Sequence, residues 1–69
     1  MRVESEVTGV VCRIEAQPGQ AIAAGATLLL VESMKMEIPI CAERDGTVAE
    51  ILVAEGEMVS DGQVVAVLR

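Results

Sequence analysis

Gly9-Val10-Val11-Cys12-Arg13-Ile14-Glu15-Ala16-Gln17-Pro18-Gly19 returns 37 positions later as Gly46-Thr47-Val48-Ala49-Glu50-Ile51-Leu52-Val53-Ala54-Glu55-Gly56. Working outward, Gly25 falls on Gly62 at the same offset, so all six glycines of the chain pair. Glu6 meets Glu43, Val11 meets Val48 and Ile14 meets Ile51; Ile22 meets Val59, Leu28 meets Val65 and Leu30 meets Val67. The two halves are residues 2–32 and 39–69, aligned without a gap, with residues 33–38 left between them. Glycines mark backbone positions with special dihedral needs, so a complete glycine match indicates a duplicated unit rather than shared composition.

The unit reads as short strands and turns. Val10 to Ala16 and Thr47 to Val53 are aliphatic and β-branched, and their apolar parity shifts midway, at Val11 then Ile14 and at Val48 then Ile51. A bulge in each strand accounts for such a shift. Gln17-Pro18-Gly19-Gln20 and Ala54-Glu55-Gly56-Glu57 are turns, and Ala24-Gly25 and Asp61-Gly62 are tighter ones, Asp-Gly being a hairpin signal. Thr27 to Glu32 and Gln63 to Leu68 are closing strands, and Arg44-Asp45-Gly46 turns the chain into the second half. Pro39 belongs at a strand start or an edge, because it cannot donate to a ladder. No segment carries ten residues of helical period, so the chain is all-β, with about eight strands. Two similar halves, neither able to bury its apolar face alone, pack as a flattened barrel or sandwich with pseudo-two-fold symmetry.

Composition narrows the function. With 69 residues the chain is a single domain, residues 1–69, and it is too short for an ordinary enzyme with a deep pocket. It has no histidine, tryptophan, tyrosine or phenylalanine, which removes the commonest general base, the commonest zinc ligand and any aromatic platform for bases. Eleven acids against five bases give a net charge of −6, which repels nucleic acid. The N-terminus, Met1-Arg2-Val3-Glu4-Ser5-Glu6, lacks the pattern of a secretory signal, and Thr27 to Val31 is far short of the ~20 apolar residues that span a bilayer. The expectation is a soluble cytoplasmic chain with neither nucleic acid nor membrane as partner. Cys12 and Cys41 form no metal-binding pattern and read as small apolar core or edge residues. The remaining acids read as solvated faces and turns.

The segment outside the repeat, Ser33-Met34-Lys35-Met36-Glu37-Ile38, joins two strand-like stretches, so the natural connection is a hairpin. Tight hairpin turns favour Asn-Gly, Asp-Gly or glycine at positive φ, yet the tip here is Met-Lys-Met. Breaks in local rules are expected at functional sites. Lys35 is also the only lysine; the other cations are Arg2, Arg13, Arg44 and Arg69. A lysine amine can lose its proton and attack an activated acyl group, which arginine effectively cannot. A single lysine on an exposed tip between two thioethers therefore suits an acylation acceptor.

Glu32-Ser33-Met34-Lys35-Met36-Glu37 closely resembles the attachment motif of biotinyl domains, the biotin carboxyl carrier modules of biotin-dependent carboxylases. Gly9-x-Val11, Gly19, Gly25 and Glu32 match the family's first half, and Gly46-x-Val48, Gly56 and Gly62 its second. The resemblance implies a biotinyl/lipoyl flattened barrel of two four-stranded antiparallel sheets, with Lys35 on an exposed hairpin. It implies that biotin protein ligase joins biotin to Lys35 and that the chain is a non-catalytic carrier. Carboxybiotin would then be shuttled between a biotin carboxylase and a carboxyltransferase, with an acyl-CoA carboxylase as the expected setting. Met34 and Met36 would frame the lysine for the ligase, and Glu32 and Glu37 would flank it. Two features depart from the family. Many members carry Ala-Pro-Met-Pro-Gly before the first strand, where this chain has Glu6-Val7-Thr8-Gly9. Some bacterial members also carry a protruding segment that touches biotin, and the gapless repeat leaves no room for it here. The nearest rival is a lipoyl domain carrying lipoate on the same lysine within a 2-oxoacid dehydrogenase or glycine cleavage system. Its usual Asp-Lys-Ala contrasts with Met34-Lys35-Met36. A purely structural or interaction barrel is the rival of another class.

Overall fold

Short aliphatic runs between glycine turns form eight strands in a computed structural model describing residues 1–69. They are β1 (Arg2–Glu4), β2 (Gly9–Ile14), β3 (Ala21–Ile22), β4 (Thr27–Ser33), β5 (Met36–Cys41), β6 (Gly46–Ile51), β7 (Met58–Val59) and β8 (Val64–Leu68). One four-stranded antiparallel sheet has the order β1-β8-β6-β3 and the other β5-β4-β2-β7. The 37-residue offset carries each strand of one sheet onto the corresponding strand of the other, so the sheets are related by the pseudo-two-fold relation read from the glycines.

The bulges lie at equivalent places. Register shifts fall between Val11 and Arg13 and between Val48 and Glu50, leaving Cys12 and Ala49 as the extra residues. A second equivalent pair leaves Leu28 on β4 and Val65 on β8 as extra residues against β5 and β1. These second shifts explain why Leu28-Leu29 and Val65-Ala66 are buried as consecutive residues, which an unbroken two-residue period forbids. Strands β2 and β6 stop at Ile14 and Ile51, two residues short of the expected ends. In the first half the reason is visible: the N–H groups of Glu15 and Ala16 both donate to the Leu28 carbonyl, at 2.9 and 3.0 Å, instead of continuing a ladder.

All four turn glycines, Gly19, Gly25, Gly56 and Gly62, have φ between 88° and 90°. Each is the third residue of a turn closed from fourth N–H to first carbonyl, as in Gln20 to Gln17 at 3.1 Å, with Pro18 second; this is type II chemistry. Asp61-Gly62 accordingly makes no hairpin. Asp61 lacks the positive φ that an Asp-Gly hairpin turn needs, and the strands it joins, β7 and β8, lie in different sheets. Each turn also docks on the opposite half. Gly19 N–H donates to Val48 O and Gly56 N–H to Val11 O, both at 2.7 Å.

The core repeats too. Sixteen residues are buried, and every one pairs with another at the 37-residue offset: Val11 with Val48, Ile22 with Val59, Leu28 with Val65, Leu29 with Ala66, Val31 with Leu68 and so on. The one polar member, Ser5, matches Ala42, and its hydroxyl is satisfied by donating to Val7 O at 2.6 Å. The cysteines are not core. Both are free thiols; Cys12, at the β2 bulge, is exposed and meets Leu30 O at 3.4 Å, and Cys41 is half-buried on the edge strand β5.

Candidate functional site

Consecutive strands lie in opposite sheets throughout, with one exception: β4 and β5 are neighbours, so theirs is the only hairpin between sequential strands. Val31 faces Ile38, Glu32 faces Glu37 and Ser33 faces Met36, which leaves Met34-Lys35 as a two-residue turn. Both turn residues have positive φ, 53° and 65°. That is the left-handed pair a type I′ turn requires, and neither residue is the Asn or Gly that adopts it cheaply. The tip is thus tighter than the Met-Lys-Met expected from sequence, because β4 continues through Ser33 and Met36 already belongs to β5.

Exposure increases toward the tip. Val31 is fully buried and Ile38 half-buried, whereas Met36 is 61% and Met34 93% exposed, and Lys35 is exposed between them. The two carboxylates that flank the turn, Glu32 and Glu37, sit directly opposite each other and are both exposed. Pro39 lies on β5, an edge strand, where it faces Leu30 of β4 and its missing N–H is tolerated. The base of the hairpin rests on Gly9, where β2 presses on the Glu32 carbonyl so closely that any Cβ would collide with it.

Neither concavity of the molecule includes residues 32–38. A cleft of about 470 Å³ lies instead between the edge strands β1 and β5, lined by the symmetry-related segments 2–6 and 39–43. Lys35 therefore stands on open surface, outside both concavities. The acids outside the hairpin, read from sequence as solvated faces and turns, are all exposed, and three of them brace turns. Asp45 accepts from Ala24 N–H at 2.8 Å, Glu55 from Ile14 N–H at 3.0 Å and Glu57 from Ala54 N–H at 3.1 Å. No group of three or more His, Cys, Asp or Glu residues is placed to hold a metal ion, and no helix is long and apolar enough to cross a membrane.

Sequence reasoning placed Glu32, Met34, Lys35, Met36 and Glu37 together, and the hairpin does so. It missed Gly9 as the support of the hairpin and the positions of Val10 and Met58 beside it. Val10 pairs with Met58 on one side and with Glu32 on the other, a relation visible only once the register is known.

Residues 1–68 match the biotin/lipoyl family described as biotin-requiring enzyme. The chain is 39% identical over 64 residues to a biotin/lipoyl attachment protein of Bacillus subtilis, covering 93% of this chain and 88% of that one. It is 36% identical over 66 residues to the biotinylated protein TB7.3 homolog of Mycobacterium leprae, covering 96% and 93%. Among solved structures, the urea carboxylase of Kluyveromyces lactis superposes with a TM-score of 0.96 at 35% identity. That match covers all of this chain and 6% of that much longer one.

Proposed function

Because the chain belongs to the biotin/lipoyl attachment family, we propose that Lys35 is its point of covalent biotinylation and that the chain is a non-catalytic carrier of biotin. One observation carries this reading. The chain's single lysine occupies the second turn position of its single sequential hairpin, exposed and in a left-handed conformation that no local preference explains. Met34 and Met36 beside it, and a relative named as biotinylated, favour biotin over lipoate.

The chemistry asked of the chain is small. The Lys35 amine, once deprotonated, attacks the acyl carbon of biotinyl-adenylate presented by biotin protein ligase; the amide C–N bond forms, the acyl–phosphate bond breaks, and AMP leaves with the electron pair. The released proton passes to the ligase or solvent. Once attached, biotin supplies a ureido nitrogen that can carry a carboxyl group. The barrel supplies location: it holds Lys35 clear of its own surface, and tethering gives the cofactor a high effective concentration at two successive active sites. Those sites are assigned to a biotin carboxylase and a carboxyltransferase, in the cytoplasm. The acceptor of the carboxyl group, assigned as an acyl-CoA, is chosen by the carboxyltransferase and not by this chain.

The test is intact mass before and after incubation with biotin ligase, biotin and ATP, beside Lys35→Arg. One biotin increment on the wild type and none on the variant is the expected result. An increment only with lipoate and a lipoyl ligase assigns the chain to the lipoyl carriers instead. No increment with either leaves the interaction-barrel reading.

A further inference from the structure

Resting on the carrier reading, we propose that Met58 and Val10 extend the hairpin into a recognition face, read by the enzyme that acylates Lys35 through an apolar contact beside a cationic one. The observation is a cross-strand row. Met58 on β7 pairs with Val10 on β2, Val10 pairs with Glu32 on β4, and Glu32 pairs with Glu37 on β5. Paired residues of an antiparallel sheet point to the same face, so these four side chains form one line across all four strands. The neighbouring residues Val59, Val11 and Val31 are buried, which puts the line on the outer surface.

Its composition is unusual for solvent. Met58 is 68% exposed and Val10 37%. Of the six large apolar side chains left exposed by the whole fold, four (Val10, Met34, Met36 and Met58) lie on this line or on the hairpin. Methionine is flexible and polarizable, and suits a contact surface that must adapt to a partner. At the other end of the line, two like charges stand directly opposite, an arrangement that costs stability in isolation. A partner arginine or lysine placed between Glu32 and Glu37 removes that repulsion. The pattern of apolar end, paired acids and acceptor lysine therefore fits one partner surface: an apolar patch next to a basic side chain, close to the partner's active site. The acylating enzyme is the partner that must approach this hairpin closely enough to reach Lys35.

The test is steady-state biotinylation of the apo chain by biotin ligase, comparing wild type, the double variant Val10→Thr with Met58→Gln, and Leu52→Gln. Leu52 follows β6 in the other sheet and is 46% exposed, so it controls for loss of surface apolarity. The double variant is expected to raise KM about tenfold, as for loss of an apolar interface anchor, with kcat and the melting temperature unchanged and Leu52→Gln at wild-type values. An unchanged KM in the double variant, or an equal rise in Leu52→Gln, overturns the proposal while leaving the carrier reading intact. Failure of the wild type to take biotin overturns both.

Discussion

Gly9 lies against the carbonyl oxygen of Glu32, and a Cβ added at Gly9 would also stand 2.9 Å from Cγ1 of Val31. The obstacle is backbone on a central strand, so it cannot swing aside as a long side chain would. The symmetry-related Gly46 is looser: its added Cβ would stand 3.1 Å from Arg69 O and 3.7 Å from Leu68 Cβ.

Gly9→Ala should therefore cost about 1–3 kcal/mol, in the range of overpacking, and Gly46→Ala clearly less. Urea denaturation of both variants measures the difference. Because Glu32 begins the stretch proposed for ligase recognition, three residues before Lys35, Gly9→Ala should also slow biotinylation, and Gly46→Ala should not. Equal costs for the two would show that the hairpin base is no tighter than its symmetry mate.

A second pair of equivalent contacts pins the two halves to each other. Asp45 Oδ1 accepts from Ala24 N–H at 2.8 Å, and Thr8 Oγ1 accepts from Asp61 N–H at 3.0 Å, each linking one half's tight turn to the loop that leads into a long strand. Asp45→Ala and Thr8→Val should each lower stability by about 0.5–1.5 kcal/mol, since each leaves one turn N–H without its partner. Sharing no partner, they should add in the double variant. A coupling larger than about 0.5 kcal/mol in the urea-derived stabilities would mean that the two turns report on a common rearrangement.

The duplication was legible because glycine is the residue whose position is dictated by backbone shape. Four of the six glycines sit at the third position of type II turns, and the other two begin β2 and β6, so the 37-residue offset transmits the whole topology. The parity shifts at Val11 and Val48 exposed the bulges for a similar reason: a bulge leaves a trace in the apolar period. The single lysine was legible because chemistry and position coincided. What escaped depended on pairing between segments distant in sequence. Asp61-Gly62 looks like a hairpin locally, and only the assignment of β7 and β8 to different sheets makes it a corner. Cys12 has the composition of a core residue, and the bulge turns it outward. Val10 and Met58 are 48 positions apart, and nothing but register brings them beside Glu32.

Met34 offers the sharpest separation of stability from function. It occupies the first position of a type I′ turn at φ 53°, where asparagine is favoured over an unbranched apolar side chain, and at 93% exposure it buries almost nothing. Met34→Asn relieves the left-handed strain without removing a core contact, and should raise stability by about 0.5–1 kcal/mol, the scale of compatible turn substitutions. The same change removes one of the two thioethers that frame Lys35, so biotinylation should fall even as the fold becomes more stable. Urea midpoint and ligase kcat/KM on the same preparation check both halves of the expectation. A gain in stability with undiminished biotinylation would show that the ligase reads the lysine and the hairpin shape without Met34. A loss of stability would show that the methionine, despite its exposure, helps to hold the turn.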